Sequence, residues 1–233
     1  MSELLKINNL WGGYQEDVDI LRGISLEVKP GEAVGIIGLN GSGKSTLGKS
    51  IMNMIPFRSG EILFNGEDIT TLSTSELSHR GISIMQQGGK VFQNLSIWEN
   101  LQLSSKTNVS QFVDVIPLLQ CPEKELQSTK ADKLSGGQKH QLSLAMTIST
   151  NPSLVILDEP SAGLSPKAVE DMYLMLHSIR KNLNITIILI EQNIAKAMEF
   201  CNRCLLLRQG EIVKSFHSKK LDEVNSEIFI NIK

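Results

Sequence analysis

Aromatic side chains make up only 5% of this chain, and its formal net charge is −2. The first scarcity argues against a platform on which bases stack, the second against a basic surface for nucleic acid or anionic lipid. Nucleic acid is therefore not an expected partner. Long apolar runs are missing too. The longest candidate, Ile185-Thr186-Ile187-Ile188-Leu189-Ile190, has the length of a core strand, well short of the roughly 18 residues that cross a bilayer. Met1-Ser2-Glu3 leads into a strand-like pattern without a basic segment and apolar core, so no leader is expected. The expected location is the cytoplasm, with any membrane role passing through partner subunits. Cysteine is rare: Cys121, Cys201 and Cys204. Cys201-Asn202-Arg203-Cys204 has C-x-x-C spacing, but no second pair completes a four-ligand zinc site. The pair also straddles a helix end and the strand Leu205-Leu206-Leu207, whereas a redox motif opens a helix. These cysteines are expected to be ordinary buried thiols. Internal repeats and low-complexity segments are absent, and 233 residues form one large domain, with room for a subdomain.

What the chain does have is Gly38-Leu39-Asn40-Gly41-Ser42-Gly43-Lys44-Ser45, a complete match to the phosphate-loop pattern G-x-x-x-x-G-K-[ST]. Such a loop turns successive backbone N–H groups inward at a triphosphate, and glycine tolerates the dihedral angles this needs. Lys44 supplies a point charge for the β- and γ-phosphates, and the Ser45 hydroxyl is a Mg²⁺ ligand. The flanks agree. Ala33-Val34-Gly35-Ile36-Ile37 reads as a buried strand, and Leu47, Ile51, Met54 and Ile55 fall on one face of a helix ending at Pro56. That helix would direct its N-terminus, with Thr46, at the phosphates.

Periodicity gives the organisation. Residues 1–30 alternate apolar and polar, predicting half-exposed antiparallel strands, with a turn at Pro30-Gly31. Glu61 to Glu67 reads as strand then turn, pairing with those first strands, and Ile82-Ser83-Ile84-Met85 as a short strand. From about Gly88 to Asn151 the apolar residues recur at helical spacing (Ile97, Leu101; Phe112, Val115, Ile116, Leu119), predicting a helical insertion. Leu154-Val155-Ile156-Leu157, Ile187 to Ile190 and Leu205 to Leu207 are continuous apolar runs, the mark of parallel strands covered on both faces. Helices are predicted from Pro166 to about Lys181 and from Ile194 to about Cys201, and after Gly210 a strand and a helix. The expected fold is α/β: a phosphate-loop nucleoside-triphosphatase core with a mainly parallel sheet (1–87 and 152–233), an antiparallel β part and a helical subdomain over 88–151.

Two further stretches carry chemistry. Asp158 and Glu159 follow the run Leu154 to Leu157 at the C-terminal edge of a buried strand, where α/β sheets bind ligands. Asp158 is a candidate for holding Mg²⁺, and Glu159 for general base toward an attacking water. Leu134-Ser135-Gly136-Gly137-Gln138 opens a helix running to about Thr150, a second set of free N–H groups with a hydroxyl.

Leu134 to Gln138, about twenty residues before Asp158-Glu159 and downstream of the phosphate loop, resembles the signature of the ATP-binding subunits of ABC transporters, over nearly the whole chain. The resemblance implies ATP and Mg²⁺ as cofactors, a second ABC ATPase subunit and membrane permease subunits as partners, and a place on the inner face of the cell membrane. It implies that two ATPase subunits close head to tail around two ATP molecules. Each site then combines one subunit's Gly38, Asn40, Gly41, Ser42, Gly43, Lys44, Ser45 and Thr46 with the other's Ser135, Gly136, Gly137 and Gln138. Tyr14 matches the aromatic that stacks on adenine, ahead of Trp11. Gln87 matches the glutamine that touches Mg²⁺ and the attacking water and senses the permease. Ser161-Ala162-Gly163-Leu164-Ser165-Pro166 matches the loop that links the two sites, with Ser165 where the family often has aspartate. Gln192 stands where the family places a histidine on the γ-phosphate. It keeps a hydrogen-bond donor but cannot become cationic. Gln141 and Met146 stand where many members have arginine, so the helix-to-core ion pairs of those arginines are not expected.

Glu191-Gln192-Asn193, Gly163 to Pro166, and Gln87-Gly88 followed by Phe92, Leu95, Ile97, Glu99, Asn100 and Leu101 are similar to the smaller ATPase subunit of branched-chain amino-acid importers. The implied function is an ATPase that powers such an importer, paired with a paralogous ATPase. Two other readings compete. One is an ABC-type ATPase that regulates or assembles a non-transport complex. The other, a small kinase or GTPase with only a phosphate loop, fails on the signature and the helical insertion.

Overall fold

The computed structural model describes residues 3–104, 116–119 and 121–217. Two sheets organise them. β1 (Leu5–Gly13), β2 (Leu21–Val28), β4 (Phe57–Phe64) and β5 (Glu67–Asp68) form an antiparallel sheet in the order β2-β1-β4-β5. The larger sheet runs β10-β9-β3-β8-β7-β6, built from β3 (Ala33–Ile37), β6 (Ile82–Met85), β7 (Leu154–Asp158), β8 (Thr186–Glu191), β9 (Arg203–Arg208) and β10 (Glu211–His217). β6, β7, β8, β3 and β9 pair in parallel, and only β10 is antiparallel to its neighbour. The β9–β10 hairpin turns on Gln209 (φ 49°) and Gly210 (φ 85°), two left-handed residues whose twist suits a two-residue loop.

The continuous apolar runs behave as their composition predicts. Val155, Leu157, Ile187 and Leu189 point to a core shared with α4 (Gly136–Ile148), α5 (Pro166–Leu183) and α6 (Ile194–Phe200). Leu154, Ile156, Ile188 and Ile190 point to a second core beneath α1 (Lys44–Ile51) and the antiparallel sheet. Alternate residues of one strand thus bury on opposite faces, and each such side chain contributes about 1.5–3 kcal/mol. α1 lies close on that second face because Gly48 has no side chain: a Cβ there would stand 2.9 Å from Ile190 Cδ1 and 3.1 Å from Ile156 Cγ2. Gly35 plays the same part for the cysteines, since a Cβ on it would meet Cys204 Sγ at 2.5 Å. Cys201 and Cys204 are free and buried, as expected, and the hydrogen bond with the neighbouring Cys204 thiol, together with burial, pushes the Cys201 thiol well above its usual range.

One helix boundary differs from the sequence reading. α1 ends at Ile51 and not at Pro56. Asn53 turns left-handed (φ 52°), the Met54 N–H reaches Lys49 O at 2.8 Å and the Asn53 N–H reaches Ser50 O at 3.0 Å, which is a Schellman stop. Met54 is 36% exposed; Ile55 is buried, but beyond the helix. The periodicity continued past a stop that an asparagine set. α2 (Thr74–His79) was not anticipated. It is short, and its capping box pairs Ser73 with Glu76. In the insertion, α3 (Ile97–Ser104) carries Ile97 and Leu101, and a 3₁₀ turn covers Ile116–Leu119. Phe112, Val115 and the helix predicted in the tail lie outside the described residues.

Strand register decides where the chemistry sits. Ile37 is level with Glu191, Asp158 with Ile190, and Met85 with Leu157. The phosphate loop, Gln87, Asp158-Glu159 and Gln192 therefore leave the sheet at one edge, the C-terminal ends of its parallel strands.

Candidate active site

The loop after β3 takes dihedral angles that only glycine adopts without strain, with Gly38 at φ 154°, Gly41 at 77° and Gly43 at 104°. Gly38 also has no room, because a Cβ would stand 2.2 Å from Leu207 O. Lys44 is buried, and its ammonium donates to Gly38 O and Leu39 O, both at 3.0 Å. Burial lowers its pKa, while the nearby charges of Glu159, Asp158 and Glu191 oppose that shift. An ammonium carries three donors. Two are held by the loop, and the third is available to an anion.

Ser45 Oγ donates to Asp158 Oδ1 at 2.7 Å. Asp158 is buried at the end of β7; burial raises its carboxyl above the usual range, against the Ser45 hydrogen bond. Glu159 follows with a left-handed backbone (φ 49°), and its N–H donates to Ile190 O at 2.9 Å. That turn rotates the side chain off the strand's alternation. Gln87 Nε2 donates to Glu159 Oε2 at 2.9 Å and Gln192 Nε2 to Glu159 Oε1 at 2.7 Å. Each oxygen of the carboxylate thus holds one neutral amide donor.

One cavity of about 290 Å³ is lined by Asn40, Gly41, Gly43, Lys44, Ser45, Thr46, Gln87, Glu159 and Gln192, together with Ile20. Sequence reasoning brought all of these together except Ile20, which sits in a loop with no motif. Ser42 Oγ is buried with no hydrogen-bond partner. An orphaned hydroxyl on a loop of inward backbone donors fits a phosphate-bearing ligand. Ser45 and Asp158, beside the Gln87 amide, form a set of hard oxygen donors that suits Mg²⁺.

Other predicted residues stand apart from this cavity. Tyr14 is 44% exposed, with Lys49 Nζ of α1 over its ring, 5.8 Å from the ring centre. Trp11 is also exposed and donates to Asn9 Oδ1 at 3.1 Å. Ser135 and Gln138 cap α4 reciprocally: the Gln138 N–H donates to Ser135 Oγ at 3.3 Å and the Ser135 N–H to Gln138 Oε1 at 2.9 Å. Ser135, Gly136, Gly137 and Gln138 do not line the cavity. Ser165 spends its hydroxyl as the cap of α5, accepting from the Ala168 N–H at 3.4 Å. Gln141 is buried and Met146 half-buried against the core, and neither can form the ion pair an arginine would.

Besides Ile20, two residues near the site were missed. His140 on α4 donates from Nδ1 to Pro160 O at 2.8 Å, one residue past Glu159. Its ring packs on Gly89, two residues past Gln87, so closely that a Cβ there would lie 2.2 Å from His140 Cδ2. Gly89→Ala is expected to destabilise the fold by about 2–4 kcal/mol, from this clash plus the left-handed backbone (φ 57°). Adding His140→Ala removes the clash. The double mutant is expected to be more stable than the sum of the two single losses predicts, by about 1 kcal/mol or more. Denaturant midpoints of the four proteins check this, and strict additivity would show that ring and loop are not in contact. Glu191 is the other missed residue and is taken up below.

Residues 21–162, which span the phosphate loop, the signature and Asp158-Glu159, match the family model of the ABC transporter. The chain belongs to the ABC transporter ATPase family. It is 34% identical to a probable branched-chain amino acid transport ATP-binding protein, LivF, of Archaeoglobus fulgidus, over 90% of each chain. It is 31% identical to the high-affinity branched-chain amino acid transport ATP-binding protein BraG of Pseudomonas aeruginosa, over 86% of this chain and 87% of that one. Among solved structures, cbiO1 of Clostridium perfringens, part of the ABC transporter complex cbiONQ, superposes with a TM-score of 0.83 at 25% identity, over 100% of this chain and 96% of that one. The chain is thus an ATPase of a family that binds ATP. Among the described residues no helix is long and apolar enough to cross a membrane.

Proposed function

We propose that this ABC ATPase drives a membrane importer of branched-chain amino acids, as the smaller of two paired ATPase subunits bound to permease subunits at the inner face of the membrane. The observation that carries the reading is the likeness to LivF and BraG over nearly the full length. It is supported by the position of Ser135 to Gln138, intact and capped yet away from the chain's own phosphate loop. Placed so, the signature serves a nucleotide held by a second subunit, and that subunit's signature completes this one's site.

In the site, Lys44 and the backbone donors of the phosphate loop hold the β- and γ-phosphates. Ser45, Asp158 and Gln87 would hold Mg²⁺, which neutralises charge on the transferred phosphoryl group. Tyr14 stacks on adenine. Glu159 takes the proton from the attacking water, a role worth about 10²–10⁴-fold. Gln87 and Gln192 keep its carboxylate aimed. Because Gln192 already donates to Glu159 as a neutral group, a cationic side chain is not required at that position. Gln192→His, donor for donor, is expected to keep or raise hydrolysis; a complete loss would reveal a specific role for the amide.

Purification of the tagged chain from solubilised membranes tests the partner assignment. Recovery of multi-span permeases with a paralogous ATPase is expected. Recovery of soluble partners alone would favour an ABC ATPase of a non-transport complex.

A further inference from the structure

Glu191 ends β8, is 2% exposed, and has no part in the mechanism above. A buried carboxylate is costly unless its oxygens are filled. Here they are filled by the two loops that flank the reaction. Ser161, two residues beyond Glu159, donates its hydroxyl to Glu191 Oε1 at 2.6 Å. The backbone N–H groups of Gln192 and Asn193 donate to Glu191 Oε2 at 3.0 and 3.2 Å. Gln192 in turn donates its side chain to Glu159 Oε1 at 2.7 Å, and the Glu159 N–H returns to Ile190 O at 2.9 Å.

A closed circuit results. From Glu191 one arm runs through Ser161 and Pro160 to Glu159. The other runs through the Gln192 backbone and amide to the same carboxylate. We infer that Glu191 is a positioning residue for hydrolysis, locking the Ser161 loop to the Gln192 turn and so fixing Gln192 against Glu159. Neutral Gln192 makes such a lock more important, because the hydrogen bond from its amide to Glu159 depends on geometry rather than on long-range charge. Asn193 adds to the lock by capping α6, its Oδ1 accepting from the Lys196 N–H at 3.2 Å. This inference rests on the assignment of Glu159 as the base.

The test is steady-state ATP hydrolysis and ATP affinity of the full-length chain, with Glu159→Gln as reference. Glu191→Ala is expected to lower kcat about tenfold or more while ATP affinity changes less than about twofold, since nothing that touches phosphate is removed. Glu191→Gln should stay within about threefold of the parent, because an amide oxygen accepts both N–H groups and the NH₂ donates to Ser161 Oγ. Ser161→Ala should lower kcat alone and add nothing in the Glu191→Ala background. Amide hydrogen exchange at Gln192 and Asn193 supplies a readout independent of turnover: faster in Glu191→Ala, protected in Glu191→Gln. Unchanged kcat and exchange in Glu191→Ala would overturn the inference, as would equal losses in Glu191→Ala and Glu191→Gln. If Glu191→Ala does not fold, unchanged kcat and unchanged exchange at Gln192 and Asn193 in Ser161→Ala would overturn it too. Full hydrolysis by Glu159→Gln would instead remove the reading of the base on which it stands.

Discussion

Glu159→Gln is expected to lower ATP hydrolysis by about 10²–10⁴-fold while ATP still binds. The substitution removes the proton acceptor and almost nothing else. Gln87 can continue to donate to the new side chain's carbonyl oxygen. The new NH₂ group meets Gln192 Nε2, a donor, but Gln192 can rotate its amide and offer oxygen instead. The strained turn at Glu159 (φ 49°) and its N–H bond to Ile190 O belong to the backbone and are untouched. The variant should therefore fold and load nucleotide without discharging it, and with ATP it should accumulate as a dimer on size-exclusion chromatography. Phosphate release gives the rate and nucleotide titration the affinity. A Glu159→Gln protein with full turnover would show that another group accepts the proton.

The second large effect is on binding. Lys44→Ala removes a buried ammonium that spans Gly38 O and Leu39 O and keeps one N–H for phosphate. A hydrogen bond to a charged group is worth about 1.5–3 kcal/mol, so ATP affinity should fall about 10–150-fold. A further loss follows from the loop itself, because two carbonyls lose their donor and the turn loses a brace. Calorimetric titration with ATP measures the affinity, and the melting temperature separates loop damage from a folding defect. Unchanged affinity would contradict the placement of the phosphates on this loop. The two variants split the site cleanly, since one binds without turnover and the other fails before turnover begins.

Much of this site could be read from order along the chain. The phosphate loop, Asp158-Glu159 and Ser135 to Gln138 are contiguous motifs, and contiguous residues share a local backbone whose constraints show in residue type. Gly38 to Ser45 announces itself because left-handed turns demand glycine and phosphates demand N–H groups. The apolar runs of β7 and β8 revealed a sheet buried on both faces, since burial leaves no polar residue between them. The end of α1 was misplaced because Met54 and Ile55 continue the periodicity that Asn53 breaks, and one left-handed asparagine leaves a faint signal. Ile20, His140 and Glu191 were invisible as site residues for a different reason. Each acts on a segment far away in sequence: Ile20 on Gly43, His140 on Gly89 and Pro160, Glu191 on Ser161.

By itself, then, the sequence determined the candidate groups for phosphate, metal and proton, and that the core is a covered parallel sheet. Those follow from residue type and local spacing, which need no third dimension. The tertiary structure alone decided the arrangement. It brought Gln87 and Gln192 to opposite oxygens of Glu159, left Ser135 to Gln138 away from the chain's own loop, and buried Glu191 between two turns. Strand register sets these placements, because a shift of one residue along β7 or β8 would turn every side chain to the other face of the sheet.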